Sequence, residues 1–79
     1  MERPIYVIQY GIGAIGSALT RLLSAKKWVK VVGAVDVDKE KVGKDLGVVA
    51  GLGRRLGVGV SPSLEKALSG TEADVVVHS

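Results

Sequence analysis

Apolar residues in this chain follow two rhythms, and the change between them sets the expected elements. Ile5, Tyr6, Val7 and Ile8 make an unbroken apolar, β-rich run that leads to Gly11. Such a run reads as a strand buried on both faces. From Ile15 the period lengthens, and Ile15, Ala18, Leu19, Leu22 and Leu23 follow the i, i+3, i+4, i+7, i+8 spacing of one helix face. That face is expected to pack on the sheet. Lys26 and Lys27 close the helix, where the dipole favours cations, and Trp28 is expected to cover the turn.

Residues 31–35 form a second continuous apolar run, closed by Asp36 and followed by a charged segment. Residues 42–57 are interrupted by Gly43, Gly47, Gly51 and Gly53, each costing a helix about 1 kcal/mol relative to alanine. A short irregular helix or a set of turns is expected there. Residues 58–60 read as a brief strand. Ser61 before Pro62 is the expected start of a helix that carries Leu64, Ala67 and Leu68 and ends at Gly70. A fourth strand is expected over 74–79. This order predicts an α/β fold, a partial Rossmann fold with a four-stranded parallel sheet in the order 3-2-1-4 and helices on both faces.

Composition narrows the class. The chain has 79 residues, no cysteine and one histidine, His78, which excludes disulfide scaffolds and cysteine or histidine metal sites. The absence of cysteine agrees with a cytoplasmic setting. The net charge of +3 comes from eleven basic residues interleaved with eight acids and few aromatics. That pattern reads as a solvated surface, not a nucleic-acid footprint. Residues 4–20 carry no charge, but Gln9, Tyr10 and three glycines interrupt them and Glu2 spoils a basic start. Neither a leader nor a membrane span is expected.

Gly11-Ile12-Gly13-Ala14-Ile15-Gly16 fits G-x-G-x-x-G between the first strand and the first helix, and Asp36 ends the next strand twenty positions beyond Gly16. That spacing is the dinucleotide fingerprint. Gly11 permits the tight turn, Gly13 lets the backbone approach a pyrophosphate, and Gly16 lets helix and strand pack closely. The helix start has no capping side chain and no acid in its first turn, so a phosphate held by the N–H groups around Gly13, Ala14 and Ile15 would satisfy it. Asp36 can accept from both hydroxyls of an adenosine ribose, which selects NAD; the competing role is a turn cap. Lys39 and Lys41 follow and leave NADP possible, by pairing with its 2′-phosphate, or are solvated loop residues. His78 and Ser79 end the fourth strand where strand order reverses and are expected to line the nicotinamide ribose. The expected cofactor contacts are thus Gly11, Ile12, Gly13, Ala14, Ile15, Gly16, Asp36, Lys39, His78 and Ser79, with no catalytic or metal-ligating residue.

With these residues placed, the sequence resembles the N-terminal nucleotide-binding domain of the dihydrodipicolinate reductase-like family, especially its 2,4-diaminopentanoate and amine dehydrogenase branch. The likeness rests on Gln9-Tyr10-Gly11-Ile12-Gly13-Ala14-Ile15-Gly16, Val32-Gly33-Ala34-Val35-Asp36, Lys41-Val42-Gly43-Lys44-Asp45-Leu46-Gly47 and Ala73-Asp74-Val75-Val76-Val77-His78. Ala14-Ile15 and His78-Ser79 depart from dihydrodipicolinate reductase itself and favour the amine dehydrogenase branch. The resemblance implies oxidative deamination with hydride transfer to NAD or NADP, with the substrate-binding residues in a domain outside this chain. The chain alone is then expected to be inactive and to self-associate through the outer edge of its fourth strand. A stand-alone nucleotide-binding or assembly module and an S-adenosylmethionine domain are the competing readings.

Overall fold

A computed structural model describes residues 3–79; Glu2, which counts against a leader, lies outside them. The elements are β1 (Ile5–Tyr10), α1 (Ala14–Ser24), β2 (Val29–Val35), α2 (Leu46–Val49), β3 (Val60–Ser61), α3 (Leu64–Ser69) and β4 (Val75–His78). These four strands pair in parallel and the sheet order is β3-β2-β1-β4, the predicted α/β topology. The strand order reverses beside β1, so the loop leaving β1 stands at the crevice where such sheets take ligands.

Both faces of the sheet are covered. Ile12, Val31, Ala34, Leu46, Ala50 and Val60 make one core, against which Leu23 of α1 and Val49 of α2 pack. Ile8, Val35 and Ala67 of α3 make the other. A bulge keeps the two faces in register: Val7 pairs with Val31 but Ile8 with Gly33, which leaves Val32 as an extra residue.

Three expectations change in the structure. The helix face of α1 is rotated, since Gly16 and Thr20 are buried while Ile15 is 71% and Leu22 56% exposed. Ala18 is exposed too, and only Leu19 and Leu23 of the expected face are half-buried. Close approach decides this: a Cβ on Gly16 would lie 1.9 Å from the Gly11 carbonyl oxygen, so the small residue faces the sheet. Buried Thr20 is satisfied because its hydroxyl donates to the Gly16 carbonyl at 2.8 Å. The N-cap of α3 is Ser63, whose hydroxyl accepts from the Lys66 N–H at 3.2 Å, and not Ser61. Ser61 ends β3 instead, its carbonyl accepting from the Asp36 N–H at 3.1 Å. Trp28 is 59% exposed, and Lys26 of the turn lies over its ring at 5.8 Å.

The third strand is also shorter and later than expected, because residues 56–58 are held elsewhere. Asp45, which caps α2, accepts the N–H groups of Gly47, Leu56 and Gly57 at 2.8 Å and of Val58 at 3.2 Å. Burial pushes its carboxyl up, yet these four donors hold it below the ordinary value. The glycine-rich stretch is therefore ordered around one buried carboxylate.

Candidate nucleotide-binding site

The loop after β1 is fixed from three sides. Gly11 takes φ +94°, a conformation L side chains rarely adopt, while its N–H donates to the Val35 carbonyl at 2.8 Å. A Cβ there would also lie 2.8 Å from the Ser79 carbonyl oxygen. Gly11 and Gly16 are thus required by the protein's own packing.

Gly13 is different. Its φ of −83° and ψ of −157° suit any residue, and nothing lies within 4 Å of where a Cβ would stand. Neither backbone nor packing calls for glycine here. Gly13 is also the N-cap of α1, which has no side-chain cap and no acid in its first turn. The first N–H groups of an α-helix lack partners within it, so donors and open space coincide at Gly13, Ala14 and Ile15, all exposed. This combination fits a phosphate group.

Asp36 sits just past β2 and accepts the Ile12 N–H at 2.8 Å on one oxygen and the Asp38 N–H at 2.9 Å on the other. Burial raises its carboxyl, but the Asp38 and Ile12 N–H groups, the Lys41 charge and the Val37 N–H outweigh it, so Asp36 is ionised below the ordinary value. A carboxylate offers about four acceptor positions, so about two stay available for hydroxyl donors. Asp36 is therefore a loop cap, and it retains capacity for a ribose.

Ile12 contributes shape, because its side chain is buried and its N–H is already engaged. Lys39 is exposed and, among the described residues, makes no hydrogen bond or ion pair to Asp36 or the loop. Lys41 is the lysine that reaches the site: its Nζ donates to the Ile12 carbonyl at 2.9 Å. At the far side Ser79 donates its N–H to the Tyr10 carbonyl at 3.0 Å and its hydroxyl to the Gly11 carbonyl at 3.1 Å. His78 is exposed and its ring lies 5.1 Å from that of Tyr10.

Sequence reasoning missed Gln9 as a site residue. It is fully buried in β1, and its Nε2 donates to the Gly11 carbonyl at 3.1 Å and to the Ser79 hydroxyl at 3.3 Å. The signal was a polar residue inside an otherwise apolar strand. Among the described residues, no group of three metal-ligating side chains forms and no helix is long and apolar enough to cross a membrane.

This strand, glycine loop, helix and strand-end acid define a dinucleotide-type α/β domain. Residues 5–78 match the family described as dihydrodipicolinate reductase, N-terminus, and the chain belongs to it. Amine dehydrogenase from Mycobacterium smegmatis is a similar solved structure, with TM-score 0.85 and 42% identity over 91% of this chain. GenD2 from gentamicin A biosynthesis, solved in complex with NAD, is similar at TM-score 0.74 and 24% identity over 100% of this chain. The chain spans 21% of the length of each. A comparison with curated proteins gives no match.

Proposed function

We propose that this chain is the NAD-binding portion of an oxidoreductase acting on C–N bonds, an amine dehydrogenase in type. One observation carries the reading: Gly13 is a glycine the protein's own backbone and packing do not need, at the uncapped start of α1. The N–H groups of Gly13, Ala14 and Ile15 would hold the pyrophosphate, Asp36 the adenosine ribose, and His78 and Ser79 would border the nicotinamide side. Lys39, exposed shortly after Asp36, leaves NADP possible by pairing with its 2′-phosphate. When bound, NAD supplies a hydride acceptor. The residues that bind an amine and move its protons are not in this chain, so we expect no turnover from the chain by itself. The 42% identity with an amine dehydrogenase supports this substrate class.

Val75 and Val76 of β4 are 47% and 39% exposed, and β4 ends the sheet. We infer that the isolated chain self-associates along this edge, which sedimentation at rising concentration reads out. The lack of cysteine supports a cytoplasmic setting.

The decisive experiment is Gly13→Val. The backbone suits a side chain and a Cβ would meet no atom within 4 Å, so the fold is expected to be retained while the phosphate approach is closed. NADH affinity should fall at least tenfold, about 1.4 kcal/mol, at unchanged stability. Unaltered NADH binding by calorimetry in the folded variant would overturn the proposal.

A further inference from the structure

Ile12 is the last residue before the uncapped helix start, and both of its backbone polar groups are held by charged side chains from beyond β2. Its N–H donates to Asp36 at 2.8 Å and its carbonyl accepts from Lys41 Nζ at 2.9 Å. Its side chain is buried as well, at 1% exposure. The peptide that sets the direction of the following N–H groups is thus fixed at three points.

The arm that carries Lys41 is itself built by Asp36. The other Asp36 oxygen accepts the Asp38 N–H at 2.9 Å and so starts the turn over residues 38–44. Within that turn the Lys41 N–H donates to the Asp38 carbonyl at 2.9 Å, and the Asp38 carboxylate accepts from the Glu40 N–H at 2.9 Å. The Gly43 N–H donates to the Val60 carbonyl at 2.9 Å and anchors the turn to the sheet. Lys41 Nζ also stands 3.9 Å from an Asp38 oxygen, and its side chain is only 30% exposed. The bonds form a closed circuit: Asp36 to the turn, the turn to Lys41, Lys41 to the Ile12 carbonyl, and the Ile12 N–H back to Asp36. A lysine on a solvated loop would leave its Nζ in water, not on a carbonyl 29 residues away.

We propose that Lys41 is a positioning residue for the nucleotide site, acting through the Ile12 carbonyl to hold the Gly13, Ala14 and Ile15 N–H groups in one direction. This rests on the nucleotide-binding reading above. It also separates Lys41 from a direct phosphate ligand, because a clamp on the loop serves every ligand that uses the loop. Losing the clamp weakens NAD and NADP equally, whereas losing a 2′-phosphate ligand weakens NADP alone.

The test uses Lys41→Met, which keeps the length of the arm and removes the donor, and Lys41→Arg, which keeps a donor. Hydrogen exchange is followed without ligand, and NADH and NADPH affinities are measured by calorimetry. In Lys41→Met we expect the bonded amides of Ile12 and Ser17, which flank the open N–H groups, to exchange at least tenfold faster while those of α3 keep their rates. Both affinities should fall by the same factor, and Lys41→Arg should restore both readouts. If Lys41→Met fails to fold by circular dichroism, Lys41→Gln replaces it in the same two measurements. Unchanged exchange of the Ile12 and Ser17 amides, or an affinity loss confined to NADPH, overturns the clamp. Absence of binding by the unsubstituted protein would overturn the functional reading instead, and the exchange result alone would then decide whether Lys41 holds the loop.

Discussion

Asp36 and Asp45 each tie a glycine-containing loop to the sheet through backbone N–H groups, yet they are filled to different degrees. Asp45 is 7% exposed and accepts four N–H groups, which uses its acceptor capacity. Asp36 accepts two and is half-buried. The glycines divide in the same way. A Cβ on Gly47, beside Asp45, would lie 2.1 Å from the Arg54 carbonyl oxygen, whereas one on Gly13, beyond Asp36, would meet nothing. One device, a carboxylate gathering amides, thus closes one loop upon itself and leaves the other open at the point where strand order reverses. Saturation marks the structural node, and spare capacity marks the candidate site.

Breaking the saturated node should have the largest effect. Asp45→Ala strands the N–H groups of Gly47, Leu56, Gly57 and Val58, and unsatisfied buried donors cost about 1–3 kcal/mol each where water cannot reach them. Allowing for the partly exposed ones, a loss of about 3–5 kcal/mol is expected, close to the whole stability of so small a domain. The variant should melt at least about 15 °C lower or fail to unfold cooperatively. A melting point within a few degrees of the parent chain would show that the four bonds are not the organising feature of residues 45–58.

Asp36→Ala should cost less stability and more discrimination. Two N–H groups lose their partner, both in partly exposed positions, so about 1–2 kcal/mol of stability is expected to go. Hydrogen bonds to a charged acceptor contribute about 1.5–3 kcal/mol, so NAD affinity should fall about ten- to a hundredfold while NADP is relieved of repulsion. The NAD to NADP affinity ratio is therefore expected to drop. A variant as unstable as Asp45→Ala with that ratio unmoved would make Asp36 a second structural node and erase the contrast.

The two loops also differ in how far they could be read from sequence. The open one was legible because its parts are local: a strand, three glycines at fixed spacing and an acid at the end of the next strand. The closed one was not, because Asp45 gathers amides up to thirteen residues away and no short pattern marks such a reach. Lys41 escaped for the same reason, since its role depends on how the turn after Asp36 aims it at Ile12. The rotation of α1 was hidden by hydropathy itself. Two overlapping stripes share Leu19 and Leu23, and the choice between them is made by the fit of Gly16 against the Gly11 backbone, not by apolar content. Ser63 outcompetes Ser61 as a cap because β3 still needs the Ser61 carbonyl for its bond from Asp36.

A third carboxylate, Asp74, sharpens the comparison from the exposed end, where the smallest effect is expected. Arg3 donates to both of its oxygens, at 2.7 and 2.8 Å, and the Tyr6 N–H donates at 2.8 Å. The Arg3 guanidinium first, and then the Tyr6 N–H, lower its carboxyl to about 2. A carboxyl whose folded value is depressed stabilises the fold above its unfolded value of about 4 and loses that contribution as pH falls toward the folded value. The stability difference between the parent chain and Asp74→Asn should therefore be constant above pH of about 5 and shrink between about 4 and 2. Both partners are solvent-exposed, so high salt should shrink it as well. The cost of Asp45→Ala should resist salt, because its donors are neutral backbone amides and not a charged side chain. Urea titrations of the parent chain and the two variants at several pH values, with and without salt, separate these behaviours. A salt-sensitive Asp45→Ala effect would mean that charge, and not the number of gathered amides, distinguishes the three carboxylates.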